Sequence, residues 1–280
     1  MRKNPLPHLG PTRLVAVLAA LGGAAAAAEP PVSGITVVPG TALPEASGRI
    51  DRGFCGHHEV APQTSAGRMV AAAGWPVISE EPLGPLVAIS FVAGFRSVTS
   101  GACVLTGGRI GVFDGVELLA LVEATQPDSS GIGQLRRVGL GRLRLWNGEM
   151  LPQPVADITL DDGIPVIVAP ARTDAFCDGT VTMPLIHGLN LSDARALLAA
   201  HGWEPDSRAQ PSDPLAARLA ARGFSGAEHC SGTGFGFCSL SFVQDKAVAS
   251  VLTFGDVWRP AGPEVAGYDV TCANPFSQPR

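Results

Sequence analysis

Three stretches of this chain carry residues whose types and spacing could do chemistry. The densest is Cys55-Gly56-His57-His58-Glu59. Neutral imidazoles and a carboxylate are donors for zinc or copper, which makes His57, His58 and Glu59 the metal-ligand candidates. Adjacent side chains of a strand point to opposite faces. On extended backbone the two imidazoles would not share an ion, and the segment would read as an exposed polar loop. His187, His201 and His229 are far away in sequence. The second stretch is Thr99-Ser100-Gly101-Ala102. A nucleophilic Ser100 would need a histidine and a carboxylate brought to it in space. No Gly-x-Ser-x-Gly elbow is present, and the same residues suit a turn ahead of a strand at Cys103.

The third stretch is Cys230-Ser-Gly-Thr-Gly-Phe-Gly-Phe-Cys238. Its glycines are spaced like a phosphate loop, but the Gly-Lys-Ser/Thr ending and the following helix are missing. Pinned by a Cys230–Cys238 bridge, the loop would present Phe235 and Phe237 as a rigid recognition element that loses little entropy on binding. The alternative packs both rings inward. Among the carboxylates, Asp157, Asp161 and Asp162 stand out, although Asp161-Asp162-Gly163 is turn chemistry first. Trp75, Trp146, Trp203 and Trp258 could form a sugar-stacking platform or serve as core anchors. None of these stretches assembles a catalytic set, and no cofactor is called for.

The elements that must position these residues fall into two groups. Leu86–Phe91, Cys103–Leu105, Arg109–Phe113 and Val116–Val122 are β-type runs separated by Gly107-Gly108 and Asp114-Gly115, which are hairpin signals. Leu143–Trp146, Val155–Leu160 and Ile164–Val168 continue the pattern. An antiparallel β-meander or barrel-like domain is predicted over residues 50–172, with one wet face implied by the alternation. A small α+β domain follows over 173–273. It has a helix capped by Ser192 and stopped by Gly202, a second helix from Pro214 to Arg222, and a hairpin of Ser239–Val243 with Ala247–Phe254. The overall class is α+β. Residues 29–50, rich in Pro, Gly and Ala, read as a flexible N-terminus with one strand at Ile35–Val38, and residues 274–280 as a tail.

Composition bounds the function. Net charge is −5 with no basic block, which disfavours nucleic-acid partners and an electrostatic membrane patch. Arg2, Lys3 and Arg13 precede the apolar run Leu14–Ala28, and Ala26-Ala27-Ala28 supplies small residues before Glu29. That pattern is a secretory signal peptide over residues 1–28. The run is shorter than the roughly twenty residues a membrane span needs. Six cysteines follow it, an even number that reads as disulfides in an oxidising compartment, with the periplasm the expected destination. Six thiols allow about fifteen pairings. Proximity suggests Cys230–Cys238, and domain logic suggests Cys55–Cys103 and Cys177–Cys272.

Met183-Pro184, Gly188, Ser192-Asp193-Ala194, Leu198 and Gly202 together resemble the opening of a PASTA repeat over about twenty residues. Gly202-Trp203-x-Pro205 with the Cys230–Cys238 element resembles a group of secreted proteobacterial proteins of unknown function. The PASTA likeness implies a non-catalytic module that touches cell-wall material. The expected function is a disulfide-stabilised, non-catalytic binding or interaction protein of the cell envelope, with an envelope component or a protein as partner and an oligomeric state left open. The alternatives are a secreted hydrolase using Ser100 or the His57/His58 region, and an inhibitor-like protein that wedges the Cys230–Cys238 loop into an enzyme cleft.

Overall fold

The computed structural model describes residues 32–272 except 41, 47, 49, 140, 233 and 246, and the backbone but not the side chain of Ser100. The expected signal peptide and the 274–280 tail lie outside the described residues. In chain order the first elements are β1 (Ile35–Pro39), α1 (Ser65–Ala72), β2 (Val77–Leu83), β3 (Leu86–Phe91), β4 (Gly94–Ser97), β5 (Cys103–Thr106), β6 (Arg109–Asp114) and β7 (Glu117–Ala124). An antiparallel sheet forms in the order β1-β7-β6-β3-β2, and β4 pairs with β5 in a separate hairpin. Next come β8 (Gln134–Gly139), β9 (Arg142–Trp146), β10 (Pro154–Asp161) and β11 (Ile164–Val168), a second sheet in the order β11-β10-β9-β8. Asp162 and Gly163 both have positive φ, 48° and 82°, between the paired Asp161 and Ile164. This is the two-residue turn that matches strand twist.

The remaining elements are β12 (Thr173–Phe176), β13 (Val181–Pro184), α2 (Leu191–Ala200), β14 (Glu204–Pro205), α3 (Pro214–Ala221), β15 (Ala227–Cys230), β16 (Cys238–Gln244), β17 (Ala247–Phe254) and β18 (Glu264–Cys272). β12 and β13 form a hairpin, and β14-β16-β17-β18, with β15 on β16, form an antiparallel sheet. The chain is β-rich with few helices and several antiparallel sheets. Among the described residues no helix is long and apolar enough to cross a membrane.

Burial explains why these segments take these forms. One face of the first sheet, through Leu86, Ala88, Ile110, Val112 and Val122, packs on Leu135, Leu143, Leu145, Ala156 and Ile158 of the second. Its other face, through Ile89, Phe91 and Phe113, packs on Ala66 and Val70 of α1 and on Trp75. Coverage on both faces is why β3 reads as a continuous apolar run rather than an alternating one. A separate core gathers Leu191, Leu198, Trp203, Leu219, Phe242 and Val251 between the two later helices and their sheet. Trp203 is buried there and donates its indole N–H to Thr182 O at 2.9 Å.

The strand expected at Ile35–Val38 is β1, the edge strand on β7; beyond it Leu43 and Ala46 pack near α1, and Trp75 donates to Pro44 O at 2.6 Å. Three expectations are corrected. A helix, α1, stands inside the 50–172 domain expected to be antiparallel β; it is capped by Thr64, whose Oγ1 accepts from Gly67 N at 2.9 Å and donates to Glu80 at 2.7 Å. Thr64→Ala is expected to lower stability by about 1 kcal/mol in urea titration, with no change in the slope of the transition. The first later helix is capped by Asn190, which accepts from Asp193 N at 3.0 Å, rather than by Ser192. Finally, the polar face of β9 is not wet: Arg144 is only 1% exposed.

Disulfides join Cys55 to Cys103, Cys177 to Cys272 and Cys230 to Cys238, and no cysteine is free. Three bridges suit an oxidising compartment. The first staples the turn at Gly53–His58 to β5, and the second ties the β12–β13 turn to the end of β18.

Candidate functional site

β9 alternates Leu143 and Leu145 toward the core with Arg142, Arg144 and Trp146 on the opposite face. Register sets the neighbours of that face: Arg144 lies directly between Arg136 of β8 and Asp157 of β10. β12 brings Asp174 onto the same face. The Arg144 Nε and Nη2 donate to the two Asp157 oxygens at 2.8 and 3.1 Å, and Nη1 and Nη2 donate to the two Asp174 oxygens at 2.5 and 3.0 Å. Asp157 also accepts from Ala171 N at 2.9 Å, and Asp174 from Arg142 at 3.0 Å. Burial alone would lower the Arg144 pKa, but the hydrogen bonds and charges of Asp157 and Asp174 outweigh it and hold the guanidinium more basic than usual. The group is a buried charge with its carboxylates supplied, so it forms a rigid floor rather than a free binding cation.

Above that floor three rings meet, one pair edge to face and the other tilted. His187 sits between Trp146 and Tyr268, with centroids 4.8 and 4.6 Å away. Burial, then the charges of Arg144 and Arg136, push the imidazole pKa down to about 4, so the ring is neutral at neutral pH. Burial and then the charge of Asp174 raise the Tyr268 phenol above its ordinary range. These groups line a cavity of about 530 Å³, closed by Arg136, Arg137, Leu151, Pro152, Phe176 and Leu252 among others. The volume is that of a small-molecule site.

Its polar lining is mixed: Arg136, Arg137 and the Trp146 indole offer donors, and Asp174, Asp269 and Ser250 offer acceptor oxygens. Trp146 is 7% exposed and its Nε1 has no hydrogen-bond partner among the described residues; the buried Nδ1 of His187 has none either. Arg136 lies over the Trp146 ring at 5.3 Å. Among the described residues neither Arg136 nor Arg137 has a carboxylate within ion-pair distance. A buried donor left unsatisfied is costly, so this end of the cavity suits a guest that supplies an acceptor to Trp146 Nε1.

The residues singled out from sequence are placed as follows. His57 and His58 lie on a 3-10 turn, not a strand, and their rings are 4.3 Å apart. That overturns the expectation of opposite faces. Glu59 is not with them: Arg52 holds it through Nε and, at 3.0 Å, through Nη2. The two imidazoles instead border a smaller cavity with Cys103, Gln134, Asn147 and Glu149, which shares Arg136 and Pro152 with the first. The backbone of Ser100 falls in the short 3-10 turn Thr99–Gly101. Cys230 and Cys238 are cross-strand neighbours. Phe235 and Phe237 are both half-buried and pack on each other at 5.7 Å, with Gly255 N bonded to Phe235 O at 2.7 Å. The four tryptophans do not form a platform: Trp75 and Trp203 belong to separate cores, Trp146 lines the cavity, and Trp258 is exposed beneath Arg218.

One cluster has the composition of a hydrolytic triad. Ser212 Oγ lies 3.3 Å and Asp213 Oδ2 3.1 Å from His229, but both meet the same nitrogen, Nδ1. A triad needs the hydroxyl on one ring nitrogen and the carboxylate on the other. Asp213 is instead occupied as the cap of α3, accepting from Leu215, Ala216 and Cys230 N. Sequence reasoning missed Arg136, Arg144, Asp174, His187 and Tyr268 as a group. The one available signal was the alternation Leu143-Arg144-Leu145-Trp146, which puts Arg144 and Trp146 on one face. Compared with known proteins, the chain matches no family model, no curated protein and no solved structure.

Proposed function

We propose that this is an exported, two-module binding protein of the cell envelope that holds a small acceptor-rich anion in the cavity over Arg144. A carboxylate or phosphate would meet Arg136 and Arg137, and an acceptor on the ligand would meet the Trp146 indole N–H. The body of the ligand would lie against Phe176, Leu151 and Leu252. The observation that carries this reading is one cavity that joins two exposed arginines, without a carboxylate in ion-pair distance among the described residues, to the buried, unpartnered Trp146 N–H. The leading apolar run and the three disulfides support export, and the PASTA-like segment supports an envelope ligand. The periplasm is the proposed location, and no catalytic step is part of the role.

The test is a thermal-shift and calorimetric panel of carboxylated and phosphorylated small molecules, including soluble peptidoglycan fragments, with uncharged analogues as controls. A true ligand at about a hundred times its dissociation constant stabilises the fold by about 2.7 kcal/mol. Arg136 and Arg137 are both exposed, so the Arg136→Ala/Arg137→Ala chain is expected to fold normally and to bind about 10- to 100-fold more weakly, the worth of a charged hydrogen bond. Anions that leave the melting temperature unmoved, or that bind the double variant equally, would refute the assignment.

A further inference from the structure

We propose that the Cys55–Cys103 disulfide masks a metal site, which opens on reduction to a His57, His58, Cys103 donor set for zinc or a soft ion such as Cu(I). The observation is geometric. One ligand atom from each of His57, His58 and Cys103 lies within 4.8 Å of the others. Donors around a tetrahedral zinc are about 3.5 Å apart, given its usual bond lengths, so the three atoms need only a small convergence. The 3-10 turn Gly53–His58 delivers both imidazoles to one side, and the bridge itself brings the turn to β5. The His57 Nδ1 is 3.0 Å from Phe54 O. A carbonyl only accepts, so Nδ1–H donates, and the Nε2 lone pair is left for a metal.

In the oxidised chain the sulfur is committed to Cys55 and cannot act as a thiolate, and Glu59 is committed to Arg52. Two imidazoles alone make a weak site. A dithiol reductant changes this: it passes two electrons and two protons to the bridge, becomes a disulfide, and leaves Cys55 and Cys103 as thiols. The metal then displaces the Cys103 proton to solvent and forms the metal–sulfur bond. The adjoining cavity, bordered by Gln134, Asn147 and Glu149, leaves a fourth coordination position open. Its cavity shares Arg136 and Pro152 with the first, but the donors His57, His58 and Cys103 do not line that one, so a metal titration and an anion titration read the two proposals separately.

Cys55→Ser frees Cys103 without touching the other two bridges. The full-length variant titrated with Co(II) is expected to give an equimolar complex with a sulfur-to-cobalt charge-transfer band that zinc displaces. The oxidised wild-type chain is expected to give no such band. Adding His57→Ala and His58→Ala, both on exposed or half-buried positions, should abolish it. No band in the folded Cys55→Ser chain, or a band that survives loss of both histidines, overturns the proposal. If Cys55→Ser does not fold, wild-type protein reduced at this bridge alone, as mapped by alkylation, is titrated instead. Failure of that species to stay folded also overturns it, because the site requires a fold that survives opening.

Discussion

Arg144→Met is expected to lower the unfolding free energy by about 3–5 kcal/mol, the usual cost of removing one partner from a buried charge network. The reason lies in what remains. Asp157 is 0% and Asp174 3% exposed, and each loses two charge-assisted hydrogen bonds. Arg142 offsets only part of this: its Nη2 reaches Asp174 at 3.0 Å, but its Nε is 3.5 Å from Asp157. Arg144→Lys should fall between, since an ammonium cannot engage two carboxylates side by side as the planar fork does. Asp157→Asn and Asp174→Asn, added to Arg144→Met, should recover part of the loss by removing the stranded charges. Urea titration of the set reads the result as shifts in midpoint. If Arg144→Met unfolds at the wild-type midpoint, the network is not desolvated and the floor of the cavity is not what is described above. Because Asp157 and Asp174 belong to different sheets, the same substitution should also weaken ligand binding in the cavity.

That network shows where sequence reasoning stops. Strand identity was legible wherever local pattern and local chemistry agree: the apolar run of β3, the Asp162-Gly163 turn, and Pro214 opening a helix. Alternation in β9 was also read correctly as period two, but the inference that its polar face meets water failed. A face's surroundings are set by elements far along the chain, here β12 and β18, and an alternating pattern cannot distinguish solvent from a buried salt bridge. The helix α1 escaped because its sequence, Ser-Ala-Gly-Arg-Met-Val-Ala-Ala, is short and carries few large apolar residues to show a period. It holds through one cap and contact with a sheet, which are tertiary facts. His57 and His58 escaped for a different reason. The strand rule was sound, but the local backbone is a 3-10 turn, whose tighter rotation per residue lets neighbours share a side. In each case the residue types were visible and the partner was not.

The cavity's imidazole gives the second large effect. In the unfolded chain His187 takes up a proton with a pKa near 6.5; in the fold it does so only near 4. Between those values the unfolded state binds more protons than the native one. Stability therefore rises with pH across this window and is lost as pH falls through it. The integrated difference is at most about 3 kcal/mol, since one unit is 1.36 kcal/mol. Arg144 and Arg136 oppose a third positive charge, while Asp174 is already engaged by Arg144 and Tyr268. His187→Gln removes the group without emptying the space. Unfolding free energies measured from pH 7 to pH 4 should fall more steeply for the wild type than for His187→Gln, the gap growing below pH 6.5 and levelling near pH 4. The proton NMR shift of the His187 ring should report the same low midpoint directly. A midpoint near 6.5, or parallel stability curves, would mean that the ring is hydrated, and that its unpaired nitrogen is not held back from water for a ligand. An acidic ligand seated against Arg136 should raise that midpoint, because its negative charge offsets the Arg136 and Arg144 charges that hold it down.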